Sequence, residues 1–413
     1  MRYAVTVAFL AILAGSAGAQ TGVVVPDTEG KHSGAPLGQF TVGPIIVTPT
    51  FKISTLAVDT NVQYSRERRA DFVAAAGPGL DIALPFLDHW QVEVQGLSQY
   101  FYFQRTKGLR RWTAGGTGTV RWATTGTRAN VSAGLTQDFS RPSFEVDQRI
   151  ATTRKSISGN LERDLGRLTL ALGAGVSSNK IDGSTDFRGA DLVRALTTDT
   201  FAVTPQLLYR LTPLTSLLFE AQYDQTRFPN ASIRNFRQES AGAGFRFSGL
   251  LKGQVTAGAR RNELDASGAT KNQPYLRGNL SQQLGRRFRL QESYTQESAI
   301  SAFAIDGNLP TYERKALTLE LAIELSKRID VRFNGRREKL TSDGNVRVVL
   351  DDGSLGSAQR DDLVYVAGGD IGIRLGRARF ASFVSYTTRK SQYFSDFGIE
   401  GLLAGARVEY APK

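Results

Sequence analysis

The segment 316–340, ALTLELAIELSKRIDVRFNGRREKL, contains two long runs in which apolar and polar residues alternate. In the run Leu317–Leu325 every odd-numbered residue is apolar, and the even-numbered residues are Thr, Glu, Ala and Glu. A period of two residues indicates a β-strand rather than a helix. After a tight Ser-Lys-Arg turn, the run Ile329–Arg336 continues the alternation. The two runs predict an antiparallel hairpin with one apolar and one charged face.

Such a hairpin fits either a soluble core or a lipid bilayer, and strand length distinguishes the two. Strands of soluble proteins usually run about 5–6 residues, whereas a tilted strand needs about 9–11 residues to cross a bilayer. Both runs of the segment 316–340 are of the longer kind. The hairpin therefore predicts membrane-crossing strands whose apolar face contacts lipid and whose charged face lines a water-filled lumen.

The same alternation recurs from Val42 to Tyr410, and the connections alternate between short turns and longer loops. Three of eight short turns share the sequence Leu-Gly-Arg, at 165–167, 284–286 and 375–377. Eight turns and nine loops join eighteen strands, and an even number places both termini on one side, as in bacterial outer-membrane barrels. The sequence thus predicts an all-β fold, an antiparallel transmembrane β-barrel of sixteen to eighteen strands over residues 41–413. No single loop is long enough to predict a plug.

The N-terminal residues have the pattern of an export signal. One charge at Arg2 precedes the apolar run AVTVAFLAILAG, and the small residues AGA form a cleavage site. Residues 1–19 are therefore predicted to be a signal peptide. Residues 20–40 are polar and punctuated by Gly and Pro, and they are predicted to be a flexible periplasmic lead-in to an outer-membrane barrel.

Composition excludes several classes of protein. The absence of cysteine rules out a disulfide scaffold and a thiolate metal site, and no later apolar run reaches the roughly 18 residues of a transmembrane helix. The formal net charge is +12, but an exported chain rarely meets nucleic acid, which is not an expected partner. Basic residues at or beside the short turns are instead expected to contact lipid headgroups. They are Arg128, Arg163, Arg167, Lys252, Arg286, Arg287, Lys327, Arg328, Arg377 and Arg379.

Charged residues in the inward phase of the predicted strands are the candidate functional residues. Charges of both signs fit a wet lumen, because an unpaired charge in a dry interior would be costly. Two interpretations are open for them: a salt-bridged wall that stiffens the barrel, or a surface that selects solutes. The predicted pore-lining residues are Glu93, Arg121, Glu220, Arg246, Arg260, Glu320, Glu324, Asp330, Arg332, Arg336 and Arg374.

Catalytic and metal sites are not predicted. The two histidines, His32 and His89, fall in the lead-in and in a short turn, so no pair has metal-ligand spacing and no base is positioned on the barrel wall. The glycine-rich segment 114–118 lies inside a strand rather than between a strand and a helix, and it is not a phosphate loop. The sequence predicts no enzyme, no metal and no cofactor.

Two further patterns concern the barrel ends. Aromatic residues near strand ends are expected to form girdles at the membrane interfaces; they include Trp90, Trp112, Trp122, Phe103, Tyr209, Tyr365 and Tyr386. The loop 179–197 ends in DLVRAL, which is expected to form a short helix at the pore mouth.

Residues 42–86 carry a family resemblance. Its elements are Gly43-Pro44, Pro49, Asp59-Thr60-Asn61-Val62, Ala70-Asp71-Phe72 and Pro78. They resemble the first hairpin of the putative β-barrel porin family of diderm bacteria, and over the rest of the chain the likeness is architectural. The resemblance implies an outer-membrane barrel, often associated with exopolysaccharide or capsule systems, and it implies no catalytic residue.

These observations predict a porin-like channel for polar solutes, to which the resemblance adds polysaccharide export as a hypothesis. The alternative is a non-conducting barrel that acts as a scaffold, receptor or surface adhesin. A soluble periplasmic glycan-binding β protein would need strands half as long. The expected partners are outer-membrane lipids and lipopolysaccharide, polar solutes or polysaccharide, and the barrel-assembly machinery. The oligomeric state is open.

Overall fold

Eighteen long strands, among the residues that the structure describes, pair in sequence order, each antiparallel to the next. The computed structural model describes residues 35–36, 40–64, 68–87, 89–143, 145–183, 186–305, 308–350, 352–376, 378–392 and 398–410. The first nine strands are β1 (Ile45–Asp59), β2 (Asp71–Phe86), β3 (Trp90–Phe103), β4 (Arg111–Thr124), β5 (Thr127–Ser140), β6 (Ile150–Leu165), β7 (Leu168–Ile181), β8 (Thr198–Thr212) and β9 (Thr215–Arg227). The others are β10 (Phe236–Ser248), β11 (Leu251–Leu264), β12 (Thr270–Leu284), β13 (Phe288–Ile300), β14 (Thr311–Glu324), β15 (Ile329–Val349), β16 (Leu355–Leu375), β17 (Ala378–Ser391) and β18 (Ile399–Tyr410).

The last strand pairs with the first, which closes the sheet into a barrel. Leu403 of β18 lies opposite Asp59 of β1, and Val408 lies opposite Ile53 after a bulge. Individual strands run from 12 residues in β18 to 21 residues in β15 and β16, long enough to cross a bilayer. The predicted closed antiparallel barrel is confirmed, with eighteen strands. Residues 1–34, which include the predicted signal peptide, lie outside the described residues.

The short turns all lie at one end of the barrel. The repeated Leu-Gly-Arg sequence places Gly166, Gly285 and Gly376 at φ angles of +73°, +69° and +62°. A β-hairpin turn that matches the strand twist needs positive φ, which glycine adopts without steric cost. The internal repeat is therefore a repeat of turn geometry.

Two aromatic pairs on neighbouring strands mark the membrane boundaries. Trp90 packs against Trp122 at the short-turn end, with ring centroids 6.2 Å apart, and Tyr100 packs against Trp112 toward the other end, at 5.4 Å. The two pairs are separated by ten residues along β3. At about 3.3 Å per residue and a tilt of about 40°, that separation spans about 25 Å, the height of an outer-membrane apolar band. Phe103 was wrongly assigned to a girdle, because it is 1% exposed and packs with Val62 and Val73.

Short elements occupy the connections at the long-loop end and the N-terminal side. An α-helix, α1 (Leu192–Leu196), forms within the loop between β7 and β8, as the sequence predicted, and its N-cap Asp191 accepts a hydrogen bond from the Arg194 backbone. The remaining elements are the strands Ala35–Pro36, Phe40–Val42, Asp186–Phe187 and Ala190–Asp191 and the 3-10 helices Lys107–Leu109 and Ser232–Arg234. None of the described helices has the length and apolar character needed to span a membrane.

Candidate functional site

Strand alternation gives the barrel wall an apolar outer face and a polar inner face. On β9, Phe219 is 44% exposed whereas its neighbour Glu220 is 8% exposed. The same phase places Phe245 outward and Arg246 inward on β10. The same strand phase puts all eleven predicted residues on the side of Glu220, although Glu324, beside a short turn, has an exposed side chain (53%).

Four of the predicted residues meet near the short turn between β14 and β15. Arg374 lies 3.1 Å from Asp330 and 3.7 Å from Glu324, and Arg332 lies 3.7 Å from Asp330. These contacts join β14, β15 and β16 on the inner face. The cluster is salt-bridged, as one of the two interpretations expected.

The other predicted residues are distributed around the wall. Arg121 pairs with Glu93 at 2.5 Å, between β4 and β3, and Arg336 pairs with Glu338 on its own strand. Arg260 donates to Gln273 at 2.9 Å, while Glu320 has no ion pair within 4 Å among the described residues. Strand phase predicted the face of these residues from the sequence, but nothing in the sequence predicted these partners.

A hydrogen-bonded chain links Arg246 and Glu220 through neutral side chains. Arg246 donates to Gln206, which donates to Glu220, each at 3.3 Å. The Tyr275 hydroxyl also donates to Glu220, at 3.1 Å. The Tyr275 ring lies over Gly242 and Gly258, where an added Cβ would come within 2.2 and 2.6 Å of the tyrosine. Glycine at these positions therefore lets the tyrosine lie flat against the wall.

The most buried ion pairs involve residues that sequence reasoning missed or misplaced. Arg379 is 4% exposed and contacts Asp330 at 2.6 Å and also Asp370, which in turn binds Arg407 at 2.5 Å. The prediction that Arg379 contacts lipid headgroups was therefore wrong. The same correction applies to Lys252, which shares the inward phase of Arg260 on β11. Arg379 was assigned by its proximity to the turn at 376, yet it alternates with Phe380, which points outward. Strand phase was the signal that would have placed it in the lumen.

A second missed cluster lies farther from the short turns. Arg314 of β14 contacts Glu338 of β15 at 2.9 Å and Glu297 of β13 at 2.6 Å. Glu338 is 2% exposed. The two clusters bind the inner faces of β13–β18 together over much of the barrel height.

Loops from opposite sides of the barrel meet across its long-loop end. Glu145, in the loop between β5 and β6, accepts hydrogen bonds from the Ser301 hydroxyl at 2.6 Å and the Ala302 backbone at 2.7 Å. Ser301 and Ala302 belong to the loop between β13 and β14, and eight strands, β6 to β13, separate the two loops. The contact must therefore cross the mouth. We call the described residues of these two loops and of the loop that contains α1, 141–143, 145–149, 182–183, 186–197, 301–305 and 308–310, the loop cap.

Ion pairs fasten the loop cap to the barrel wall. Asp147 binds Arg389 of β17 at 2.8 Å and Arg141 at 3.3 Å. Arg360 of β16 donates to the Glu145 carbonyl at 3.2 Å. Because Arg389 and Arg141 are at most 1% exposed, these contacts are shielded from solvent and are screened little by salt.

An apolar cluster forms the rest of the cap. Leu192, Ala195 and Leu196 of α1 pack with Val146, Phe303 and Val348, which come from three other segments. The loop of α1 also bonds to the extended end of β15, where the Val349 backbone donates to Arg188 at 3.0 Å. The expectation of an unplugged mouth was incomplete, since no loop fills the mouth alone but several meet over it.

Burial has an electrostatic consequence for the loop cap. Desolvation raises the pKa of Glu145 above its ordinary value, although Arg360 and the two donors from Ser301 and Ala302 act in the opposite direction. Asp362 adds to the increase by charge repulsion. The closed cap therefore binds a proton at Glu145 more tightly than a hydrated carboxylate would.

Metal-binding chemistry has no cluster to support it in the described part of the chain. No group of three or more His, Asp or Glu side chains there is arranged to hold a metal ion. The site is a wall of hydrogen-bonding and charged groups beneath a loop cap, and such a surface can bind polar solutes.

Several solved outer-membrane proteins resemble the chain in fold at low sequence identity. OpdK of Pseudomonas aeruginosa aligns at 12% identity and a TM-score of 0.45, over 88% of this chain and 97% of its own. The structure of OpdK with vanillate aligns at 10% identity and a TM-score of 0.47, over 89% of this chain and 99% of the OpdK chain. The siderophore receptor PirA of Acinetobacter baumannii aligns at 12% identity and a TM-score of 0.45, over 84% of this chain and 63% of the receptor. The chain thus spans less than two thirds of that receptor.

Family comparison gives a match over more than half of the chain. No curated protein matches in sequence. A sequence profile of the family described as putative beta-barrel porin 2 matches residues 32–281. The chain therefore belongs to the putative beta-barrel porin 2 family and is a porin-like β-barrel of the outer membrane.

Proposed function

We propose that the protein is a gated, porin-like channel for polar solutes, with the eleven inward residues named above in its wall. The observation that carries this proposal is the closed eighteen-stranded barrel with a charged, hydrogen-bonding inner face. A barrel of this strand number encloses an aqueous pore. An inner face that served only to fill a core would be apolar, because buried polar groups add no stability over well-packed apolar ones.

The loop cap acts as the gate of this channel. It crosses the mouth through few polar contacts, and Asp147 supplies the carboxylate that Arg389 and Arg141 share. Hydrogen bonds to charged groups each contribute about 1.5–3 kcal/mol. Removing one carboxylate is therefore enough to change the open fraction of a gate by an order of magnitude.

Single-channel recording in planar bilayers tests the proposal. The Asp147→Asn variant is expected to open at least ten times more often than the parent protein. Asp352→Asn is the matched control, because Asp352 is exposed and bonds only to Ser354 among the described residues. Folded, inserted protein that never conducts, even with Asp147→Asn, would reject the channel.

A non-conducting receptor or scaffold is the second candidate, and the buried contacts of the loop cap favour it. For such a protein the cap would be a fixed binding surface, and Asp147→Asn would lower thermal stability without producing current. Polysaccharide export, which the family resemblance implies, stays a prediction. Loss of surface polysaccharide on gene deletion, restored by the parent gene, would support it.

A further inference from the structure

The inner faces of β8–β13 carry an excess of positive charge. Their inward cations are Arg210, Arg246, Lys252, Arg260, Lys271, Arg277 and Arg289, and their inward carboxylates are Glu220, Asp224 and Glu297. All side chains of these six strands are described, and among the cations only Lys271 has a carboxylate within 4 Å, that of Asp343. Seven cations against three carboxylates leave a surplus of four positive charges on this arc.

The neighbouring arc, β14–β18, has the contrary arrangement. Each of its inward arginines has a carboxylate within 4 Å. They are Arg314, Arg332, Arg336, Arg360, Arg374, Arg379, Arg389 and Arg407. The arginines of that arc are neutralised in pairs, so among strands β8–β18 the surplus of positive charge lies on β8–β13.

The unpaired arginines are spread along the barrel axis. Arg246 lies two residues before the end of β10 at Ser248, at the short-turn end, and Arg277 lies seven residues before the end of β12 at Leu284. Arg260 lies nine residues beyond the start of β11 at Leu251, toward the loop cap. An anion that moves through the lumen therefore meets a guanidinium at three successive heights.

A narrow recess of about 60 Å³ lies along this arc. Its lining includes Arg260 and Arg277, the amides of Gln222 and Gln238, and Asp224. Both amides already donate to the Asp224 carboxylate, at 2.7 and 3.2 Å. Both bonds go to the same Asp224 oxygen, Oδ2. The Arg260 Nε donor and the second Asp224 oxygen, Oδ1, are both buried without a hydrogen-bond partner among the described residues.

We propose that the β8–β13 arc is an anion path, and that the solutes are small molecules bearing a carboxylate or phosphate. The proposal rests on the channel function and names its substrate class. Guanidinium groups bind both anions through paired N–H donors. Low-dielectric walls focus the field of unpaired charges into the water between them. The paired arc stiffens the barrel and contributes little to selectivity.

Reversal potentials in a potassium chloride gradient test the anion path. The parent protein is expected to be anion-selective, and Arg246→Gln/Arg277→Gln is expected to lower its chloride-to-potassium permeability ratio at least threefold. The matched control is Arg237→Gln/Arg261→Gln, which removes the same charge from the outer face of neighbouring strands, where Arg237 and Arg261 pair with Glu263. The control is expected to keep the parent ratio.

Each outcome separates the anion path from the channel itself. A conducting parent that prefers cations, or a double variant with the parent ratio, overturns the anion path and leaves the channel standing. If the barrel does not conduct, the proposed channel function is rejected. Labelling of arginines with phenylglyoxal then tests whether the arc binds anions. Inorganic phosphate is expected to slow the labelling of Arg277 at least threefold while that of Arg261 is unchanged; equal rates with and without phosphate overturn the site.

Discussion

At the residue scale, Glu145 couples the loop cap to proton concentration. Its carboxylate is buried in the closed cap, where desolvation raises its pKa, and in an open cap it would be hydrated with an ordinary pKa of about 4.3. The closed state therefore binds the proton more tightly. By linkage, acidification through the interval between the two pKa values favours the closed cap, and raising the pH above the higher value disfavours it.

Conductance is therefore expected to fall as the pH is lowered from neutral toward that interval. Glu145→Gln keeps an acceptor for Ser301 but cannot titrate, so its open fraction should not depend on pH there. Single-channel recording at several pH values measures the open fraction of the parent protein and of Glu145→Gln. A parent response that persists unchanged in Glu145→Gln would assign the pH effect to another group.

Strand phase predicts the face on which a side chain lies, but it does not predict the side chain's contacts. Strand phase placed Asp330 and Arg374 on the inner face from the alternation alone, because a period of two leaves no choice of side. The same phase applied to Arg379, but proximity to a turn was given more weight. The partners Glu145 and Ser301 are 156 positions apart in the sequence. No local pattern in either loop predicts their contact across the mouth.

At the element scale, the strands were predictable and the conformations of the loops were not. Alternation and short turns follow from local chemistry, which explains the agreement in strand number. The loop cap depends on tertiary contacts among segments with no period, except for α1, whose sequence favours a helix on its own. A Cβ built at Gly189 would lie 3.9 Å from the Val349 Cβ, so the cap can be cross-linked to β15.

Gly189→Cys/Val349→Cys is expected to form a disulfide, since that separation matches disulfide geometry. The bond would hold the cap closed, so current should be lost on oxidation and return with a reductant. The chain contains no other cysteine, and each single substitution is a control for the strain of a side chain at the φ of +79° of Gly189. Current that is unaffected by a disulfide verified by mass spectrometry would show that this part of the cap does not gate.

At the scale of the whole molecule, closure leaves no free sheet edge between the described strands. Every barrel strand has two hydrogen-bonded neighbours, and closed sheets resist detergent because no backbone group in the apolar band lacks a partner. The whole fold was predictable because the membrane imposes this requirement on every strand. The number of inward charges on each arc follows from strand phase, but the ion pairs were not predictable, since they depend on which side chains reach one another.

The folded protein is expected to migrate faster than the boiled protein on a denaturing gel run in the cold. Removal of residues 399–413 deletes β18 and should abolish the fast form, whereas removal of residues 411–413 should preserve it. Circular dichroism of both variants in detergent provides an independent measure of strand content. If heated and unheated full-length protein migrate equally while circular dichroism of the unheated protein shows its full strand content, the barrel does not stay closed in detergent.

The pairing of β1 with β18 also determines the order in which the molecule assembles. Asp59 and Leu403, which lie opposite each other, are separated by 344 residues, and joining the ends of so long a chain costs about 5 kcal/mol of entropy. The hairpins on either side form from near neighbours and need no such search. We therefore expect the seam to be the last contact to form, so that both terminal strands lack one neighbour until the barrel closes.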